Sequence, residues 1–144
     1  MNTEAGRPEL KSEIHLIDGA GLSRENFVSP RAYMTLLGEL TKEPTFPALW
    51  NSLPIAGQDG TLKERMLGTP AVGVVRAKTG TLKGSYQLAG YIPKMNADGS
   101  AIVSYIPFVI LSAVDPSERE NIFELQGQLA SKLLKLVNPQ LSFR

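Results

Sequence analysis

The second half of the chain alternates dense apolar runs with short polar breaks. Residues 72–81, 85–92 and 101–113 are rich in β-branched, aliphatic and aromatic side chains and read as three strands. Leu82-Lys83-Gly84 and Asn96-Ala97-Asp98-Gly99 supply the turns between them. Pro107 interrupts the third run, which predicts a bulge or an edge position, because proline has no N–H for a ladder. Asp115-Pro116-Ser117-Glu118 then opens a helix, with Asp as cap and acids in the first turn. Ile122, Leu125, Leu129, Leu133 and Leu136, flanked by Phe123, Ala130 and Leu134, give it an apolar stripe expected to cover the sheet.

The first half is less regular. Residues 1–13 are polar and read as a flexible segment, and residues 14–18 as a short strand followed by a Gly-rich loop. Ser29-Pro30 is a helix start, with serine as N-cap and proline in the first turn. Tyr33, Leu36, Leu37 and Leu40 follow at helical spacing, and Pro44 and Pro47 end that helix. FPALWNSL reads as one or two helical turns. The stretch PIAGQDGTLKERMLGTPAVG is a long irregular segment, and such segments in compact domains are often functional. The expected class is α+β: an antiparallel three-strand meander packed against a C-terminal helix, with helices upstream.

With 144 residues, the chain is one domain or part of one. Its 42% hydrophobic content suffices for a core. Fifteen Lys+Arg against 14 Asp+Glu leave a net charge of +1, with no basic clustering of the kind nucleic acids require. No apolar run approaches the ~18 residues that a membrane-spanning helix needs. The absence of cysteine excludes disulfides and thiolate-bound metals, and a single histidine excludes a multi-histidine metal site, so no metal or cofactor is expected. MNTEAGRPELKSEIHLIDG has no apolar core of the signal-peptide kind, so no export signal is expected there.

The stretch VVRAKTGTLKGSYQLAGYI carries the chemistry. Lys78-Thr79-Gly80-Thr81 places a cation, two hydroxyls and a glycine at the end of an apolar strand. A lysine and hydroxyls can hold a carboxylate, and a charge-assisted bond contributes about 1.5–3 kcal/mol. A glycine in a strand often marks close approach of a ligand or another backbone. A free strand edge could also pair with an extended peptide. Strict alternation puts Lys78 on the opposite face from Thr79 and Thr81. All three serve one site only if the strand borders a cleft and Lys78 reaches around beneath it. By itself the tripeptide KTG is common and carries little weight.

Its context carries more. IDGAGLSRENFVSPRAYMTLL, LPIAGQDGTLKERMLGTP, VRAKTGTLKGSYQLAGYI and the final strand and helix follow in order. Together they resemble the C-terminal part of DacB-type serine D-alanyl-D-alanine carboxypeptidases/endopeptidases, which are low-molecular-mass penicillin-binding proteins. The resemblance covers about residues 14–136, and DG-x-GLSR, LP-x-AG-x-DGTL and R-x-KTG-x-L-x-G are its specific phrases. It implies the C-terminal portion of a β-lactamase/transpeptidase-like fold, with residues 14–144 belonging to that domain. It implies acyl transfer on peptidoglycan stem peptides ending in D-Ala-D-Ala, with β-lactams acylating the same serine. Lys78 would be the catalytic cation. Thr79 and Thr81 would bind the substrate's terminal carboxylate, Gly80 would keep the cleft open, and the Thr81 N–H would be one oxyanion donor. The setting implied is periplasmic or otherwise extracytoplasmic.

Two parts of that machinery are missing from the sequence. None of its serines is followed three residues later by lysine, and no Ser-x-Asn occurs. Nucleophile and base must lie within hydrogen-bond reach, so the chain alone is not expected to hydrolyse peptides. In full-length relatives both motifs lie upstream of the first phrase. Three accounts fit: a truncated product, one half of a split enzyme completed by an N-terminal chain, or a non-catalytic peptide-binding module. Without the missing segment the sheet is expected to present a bare edge and an uncovered apolar face, and such surfaces invite association.

Other residues read as structural. His15 is a strand residue, and Asp18-Gly19 and Asp59-Gly60 are turn chemistry before they are catalytic acids. Arg76 shares a face with Lys78 and either tunes its field or is plainly solvated, while Trp50 is a packing aromatic. TLKGS is not a Walker loop, which ends in Gly-Lys-Ser/Thr.

Overall fold

The computed structural model describes residues 8–141. A 3₁₀ run at Pro8–Glu13 leads into β1 (Ile14–His15), β2 (Phe27–Val28), α1 (Pro30–Leu40) and α2 (Phe46–Ser52). A 3₁₀ turn at Gly60–Leu62 precedes β3 (Arg76–Leu82), β4 (Ser85–Met95) and β5 (Ile102–Ala113). A second 3₁₀ turn, Pro116–Glu118, opens α3 (Arg119–Val137). The flexible segment expected over residues 1–13 is therefore ordered from Pro8 onward, and its first seven residues lie outside the described part.

β1 and β2 form a two-stranded antiparallel ribbon. Its link is held by Asp18, whose carboxylate accepts from the N–H groups of Gly21, Leu22 and Ser23 and from Asn26 Nδ2. Asn26 Oδ1 in turn accepts from the Ile17 and Asp18 N–H groups. α1 starts as the sequence predicts: Ser29 Oγ accepts from the Ala32 N–H at 3.0 Å, with Pro30 in the first turn. Glu13 accepts from the Ser29 hydroxyl and pairs with Arg31, tying the 3₁₀ run to that cap.

The main sheet is antiparallel in the order β3-β4-β5. β3 and β4 are joined by the turn Lys83-Gly84, where φ of +79° at Gly84 suits glycine. The phase of the ladder follows from two bonds outside it. The Val114 N–H donates to the Gly84 carbonyl, and the Ala77 N–H donates outward to the Pro54 carbonyl. In antiparallel pairs, bonded and unbonded positions alternate. Tyr91–Pro107 thus falls on an unbonded pair, and the nitrogen of Pro107 faces the open edge of β5. The expected edge position is observed, and the sheet's irregularity sits instead at Lys94/Met95. Pro93, in the central strand, lies beyond Tyr91, the last residue that β3 pairs, so its missing donor faces no neighbour.

Several boundaries differ from the sequence reading: the first strand ends at His15 rather than residue 18, and β2 falls in the stretch read as a loop. β3 begins at Arg76 because the Val74 and Val75 N–H groups both bond to the Ala71 carbonyl, winding residues 71–75 into a turn. β4 continues through Met95, where Asn138 Oδ1 accepts the Met95 N–H and Asn138 Nδ2 donates to the Pro93 carbonyl.

The sheet is covered on both faces. One core joins Ala77, Leu88, Ile92 and Phe108 to Ala130 and Leu134 of α3 and to Leu62 and Val75. The other joins Ala89 and Tyr91 to Leu37, Phe46 and Trp50 of α1 and α2. α3 covers the sheet with only part of the stripe expected of it: Ala130 and Leu134 are buried and Leu133 packs against the core. Its buried residues are Gln126, Gly127, Ala130, Ser131 and Leu134, whereas Leu125, Leu129 and Leu136 are exposed.

Candidate active site

Lys78, Thr79, Gly80 and Thr81 lie in β3, opposite Ala89, Leu88, Gln87 and Tyr86 of β4. β3 is an edge strand, and its outer edge is partly filled. The Ala56 N–H donates to the Val75 carbonyl at 2.9 Å, and the Ala77 N–H to the Pro54 carbonyl at 3.1 Å. Those bonds lace residues 54–56 along the edge only as far as Ala77. By the same alternation, the N–H and C=O groups of Thr79 and Thr81 also point outward, beyond the end of that cover.

The side chains take opposite faces, as alternation requires. Lys78 runs beside Ala89 on the α1/α2 side, where it lines a cavity of about 430 Å³ with Tyr33, Leu37, Leu49, Leu53 and Tyr91. Its ammonium does not stay there: Nζ curls to the edge and donates to the Thr79 carbonyl at 2.7 Å. An apolar stem against the groove with a free ammonium at the rim is the usual habit of lysine. Lys78 Nζ thereby reaches the strand edge toward which the Thr79 carbonyl points. Thr79 faces the α3 side, and its hydroxyl bonds to the Thr61 hydroxyl at 2.9 Å. Thr81 is exposed at the strand's end. Gly80 stands opposite Gln87, whose side chain a Cβ would approach at 3.3 Å.

The walls of the Lys78 cavity are neutral. Burial, and then the neighbouring Tyr33, push the Tyr91 phenol up to about 12, and its hydroxyl donates to the Leu37 carbonyl at 3.0 Å. Arg76 does not share the site: its guanidinium lies 4.8 Å from the centroid of Trp50 and bonds to the Trp50 carbonyl. Trp50 is the packing aromatic expected of it. His15 is exposed in β1, and Asp59 accepts from the Ile55 N–H, so both remain structural.

Two residues at this edge went unread in the sequence. Thr61, inside DGTL, is delivered to Thr79 by the 3₁₀ turn at Gly60–Leu62. Arg24, inside GLSR, donates from Nη2 to the Lys83 carbonyl at 3.0 Å, pinning the β1–β2 link against the β3–β4 turn. Both belong to the phrases that carried the resemblance, which was the available signal. Among the described residues, no three His, Cys, Asp or Glu side chains converge as a metal site. No helix of the described chain is long and apolar enough to cross a membrane. The edge offers an ammonium, a threonine pair and outward N–H groups, an arrangement suited to an extended chain ending in a carboxylate.

The chain is similar to known proteins. The model of the D-Ala-D-Ala carboxypeptidase 3 (S13) family matches residues 11–133. The D-alanyl-D-alanine carboxypeptidase DacB of Haemophilus influenzae is 41% identical over 93 residues, covering 63% of this chain and 19% of that protein. A penicillin-sensitive carboxypeptidase A of Dictyostelium discoideum is 33% identical over 124 residues, covering 84% of this chain and 23% of the relative. The crystal structure of Haemophilus influenzae penicillin-binding protein 4 (dacB), complexed with a β-lactam, superposes with a TM-score of 0.70 at 32% identity. That match covers 85% of this chain and 29% of the other. The chain thus spans only about a fifth of the length of these curated relatives.

Proposed function

The chain belongs to the D-Ala-D-Ala carboxypeptidase 3 (S13) family, and from that premise we propose that β3 is the substrate-binding wall of a serine-type D-Ala-D-Ala carboxypeptidase/endopeptidase. Residues 14–144 would form the C-terminal part of its transpeptidase-like domain. The extended stem peptide lies along the open edge of β3. Its terminal carboxylate meets the Thr79 and Thr81 hydroxyls, and Lys78 sets the positive field. The nucleophilic serine, carried on a Ser-x-x-Lys segment that this sequence does not contain, adds to the scissile carbonyl. The oxygen of that carbonyl takes the Thr81 N–H as a donor, and D-alanine leaves with the proton. Water then hydrolyses the acyl-enzyme. The substrate class places this chemistry outside the cytoplasmic membrane. One observation carries the reading: residues 54–56 close the β3 edge only up to Ala77, leaving it open where Lys78 Nζ arrives.

The test is labelling by fluorescent penicillin. The 144-residue chain alone should form no adduct. A segment carrying Ser-x-x-Lys and Ser-x-Asn, cloned from the DNA upstream of the Met1 codon, should be labelled once the two are combined. Lys78→Ala should slow that labelling at least a hundredfold. Thr81→Pro, which deletes the N–H, should cost about 10²–10³, as removal of an oxyanion donor does. An adduct on a serine of this chain, or undiminished labelling with Lys78→Ala, would sink the proposal. The open edge also favours a second reading, a non-catalytic binding module. It predicts reversible binding of a D-Ala-D-Ala peptide by the chain alone, and no covalent reaction with any added segment.

A further inference from the structure

A second cationic centre lies on the α3 side of the sheet. Arg65 is only 9% exposed. Its Nη2 donates to Gln126 Oε1 at 2.7 Å and to the Phe123 carbonyl at 3.4 Å, while its Nε is buried without a partner. Its guanidinium lies 4.0 Å from the centroid of the Phe123 ring, which Arg119 also approaches, at 5.1 Å. Among the described residues, the carboxylates that form ion pairs are Glu13 and Glu39, whose partners are Arg31 and Lys42, so neither Arg65 nor Arg119 has a carboxylate partner. Burial, and then the nearby Arg119, push the Arg65 pKa down to about 10. A buried cation without an ion-pair partner is costly.

A cavity of about 470 Å³ opens beside it. Met66, Leu67 and Phe123 are its apolar lining, and Glu64, Glu120 and Glu124 stand around it. Met66 holds a left-handed φ of +63°, packed against Gly127, where an added Cβ would meet Met66 Cγ at 3.3 Å. A non-glycine residue in that region is strained and must be held by its surroundings, a condition that clusters at ligand sites.

We propose that this cavity binds an amphipathic monocarboxylate, the class that includes the C-terminal residue of a short apolar peptide. The carboxylate lies toward the Arg65 guanidinium, with Arg119 on the Phe123 ring outside the lining adding to the field, and the apolar body lies against Met66, Leu67 and Phe123. The surrounding glutamates select among anions: they repel phosphate and other dianions, and they accept an ammonium on a zwitterionic ligand. Nothing in this site depends on the reading of the β3 edge.

The experiment is an NMR titration of the full 144-residue chain with N-acetyl-leucine, N-acetyl-leucinamide and inorganic phosphate. N-acetyl-leucine should shift the amides of Met66, Phe123 and Gly127 saturably. The neutral amide and phosphate should each bind at least tenfold more weakly. Arg65→Met should weaken N-acetyl-leucine at least tenfold. If that variant fails to fold, Arg119→Gln, at an exposed position, decides: it should weaken binding several-fold. Equal binding of the amide, equal binding of phosphate, no saturable shift, or undiminished binding in Arg119→Gln would each overturn the assignment.

Discussion

At the scale of single residues, the site depends on how closely β3 lies against β4. Gly90 shows this most sharply. It pairs with Ala77, and a Cβ there would fall 2.1 Å from the Arg76 carbonyl oxygen and 2.5 Å from Ala77 Cα. Both obstacles are backbone, so no rotamer change relieves the clash. Gly90→Ala should therefore cost at least the upper end of the ~1–3 kcal/mol typical of overpacking, read as a lower urea midpoint. Lys78 shows the limit of alternation as a guide. Its face was legible in the sequence, but the turn of its ammonium onto the Thr79 carbonyl was not, because that depends on an edge left open by residues 54–56.

At the scale of elements, the β1–β2 link is organised by one carboxylate. Partial desolvation pushes Asp18 up, but bonds from Asn26 and from the Ser23, Gly21 and Leu22 N–H groups outweigh it and hold Asp18 below the usual carboxylate range. A depressed folded value means stabilisation that is present above the unfolded pKa and lost as pH falls through the folded one. Amide exchange at Gly21, Leu22 and Ser23 should therefore quicken in acid, beyond the intrinsic pH dependence of exchange. Asp18→Asn should remove that extra dependence. The same carboxylate-and-turn chemistry was readable as Asp18-Gly19.

α3 was read less well. Of its predicted stripe and flanks, Leu133, Ala130 and Leu134 pack on the core, but Leu125, Leu129 and Leu136 are exposed, and the sheet also receives Gln126, Gly127 and Ser131. Small residues let the helix approach closely. Gln126 tolerates burial because Nε2 donates to the Tyr86 carbonyl and Ser112 Oγ while Oε1 accepts from Arg65. A periodic stripe says that a face is apolar, not which neighbour covers it.

At the scale of the whole molecule, β5 is the outer strand of the sheet, and none of Ile102–Ala113 is charged. A groove of about 230 Å³ straddles it, walled by Met34 of α1 and by Leu133 and Val137 of α3. Natural edges are blunted by charge or bulges; this one carries Pro107 and a bulge near its start, opposite Lys94/Met95, but no charge. The isolated chain should therefore associate as its concentration rises, and Ile106→Lys, at a partly exposed edge position, should shift sedimentation toward monomer without changing the circular dichroism spectrum. Unchanged association would mean that the contact lies elsewhere.

The sequence by itself determined the three strands of the main sheet, both hairpin turns, the Ser29 cap, the Asp115 helix start and the KTG strand with its family phrases. Each of these is written within a few neighbouring residues, through turn chemistry, capping or alternation. Only the tertiary structure decided that residues 54–56 close the β3 edge up to Ala77 and no further. It alone placed Thr61 on Thr79, chose the face that α3 buries, and left Arg65 without an ion-pair partner beside a cavity. Those outcomes rest on hydrogen bonds and packing between residues about 20 to 60 positions apart, which local pattern does not encode.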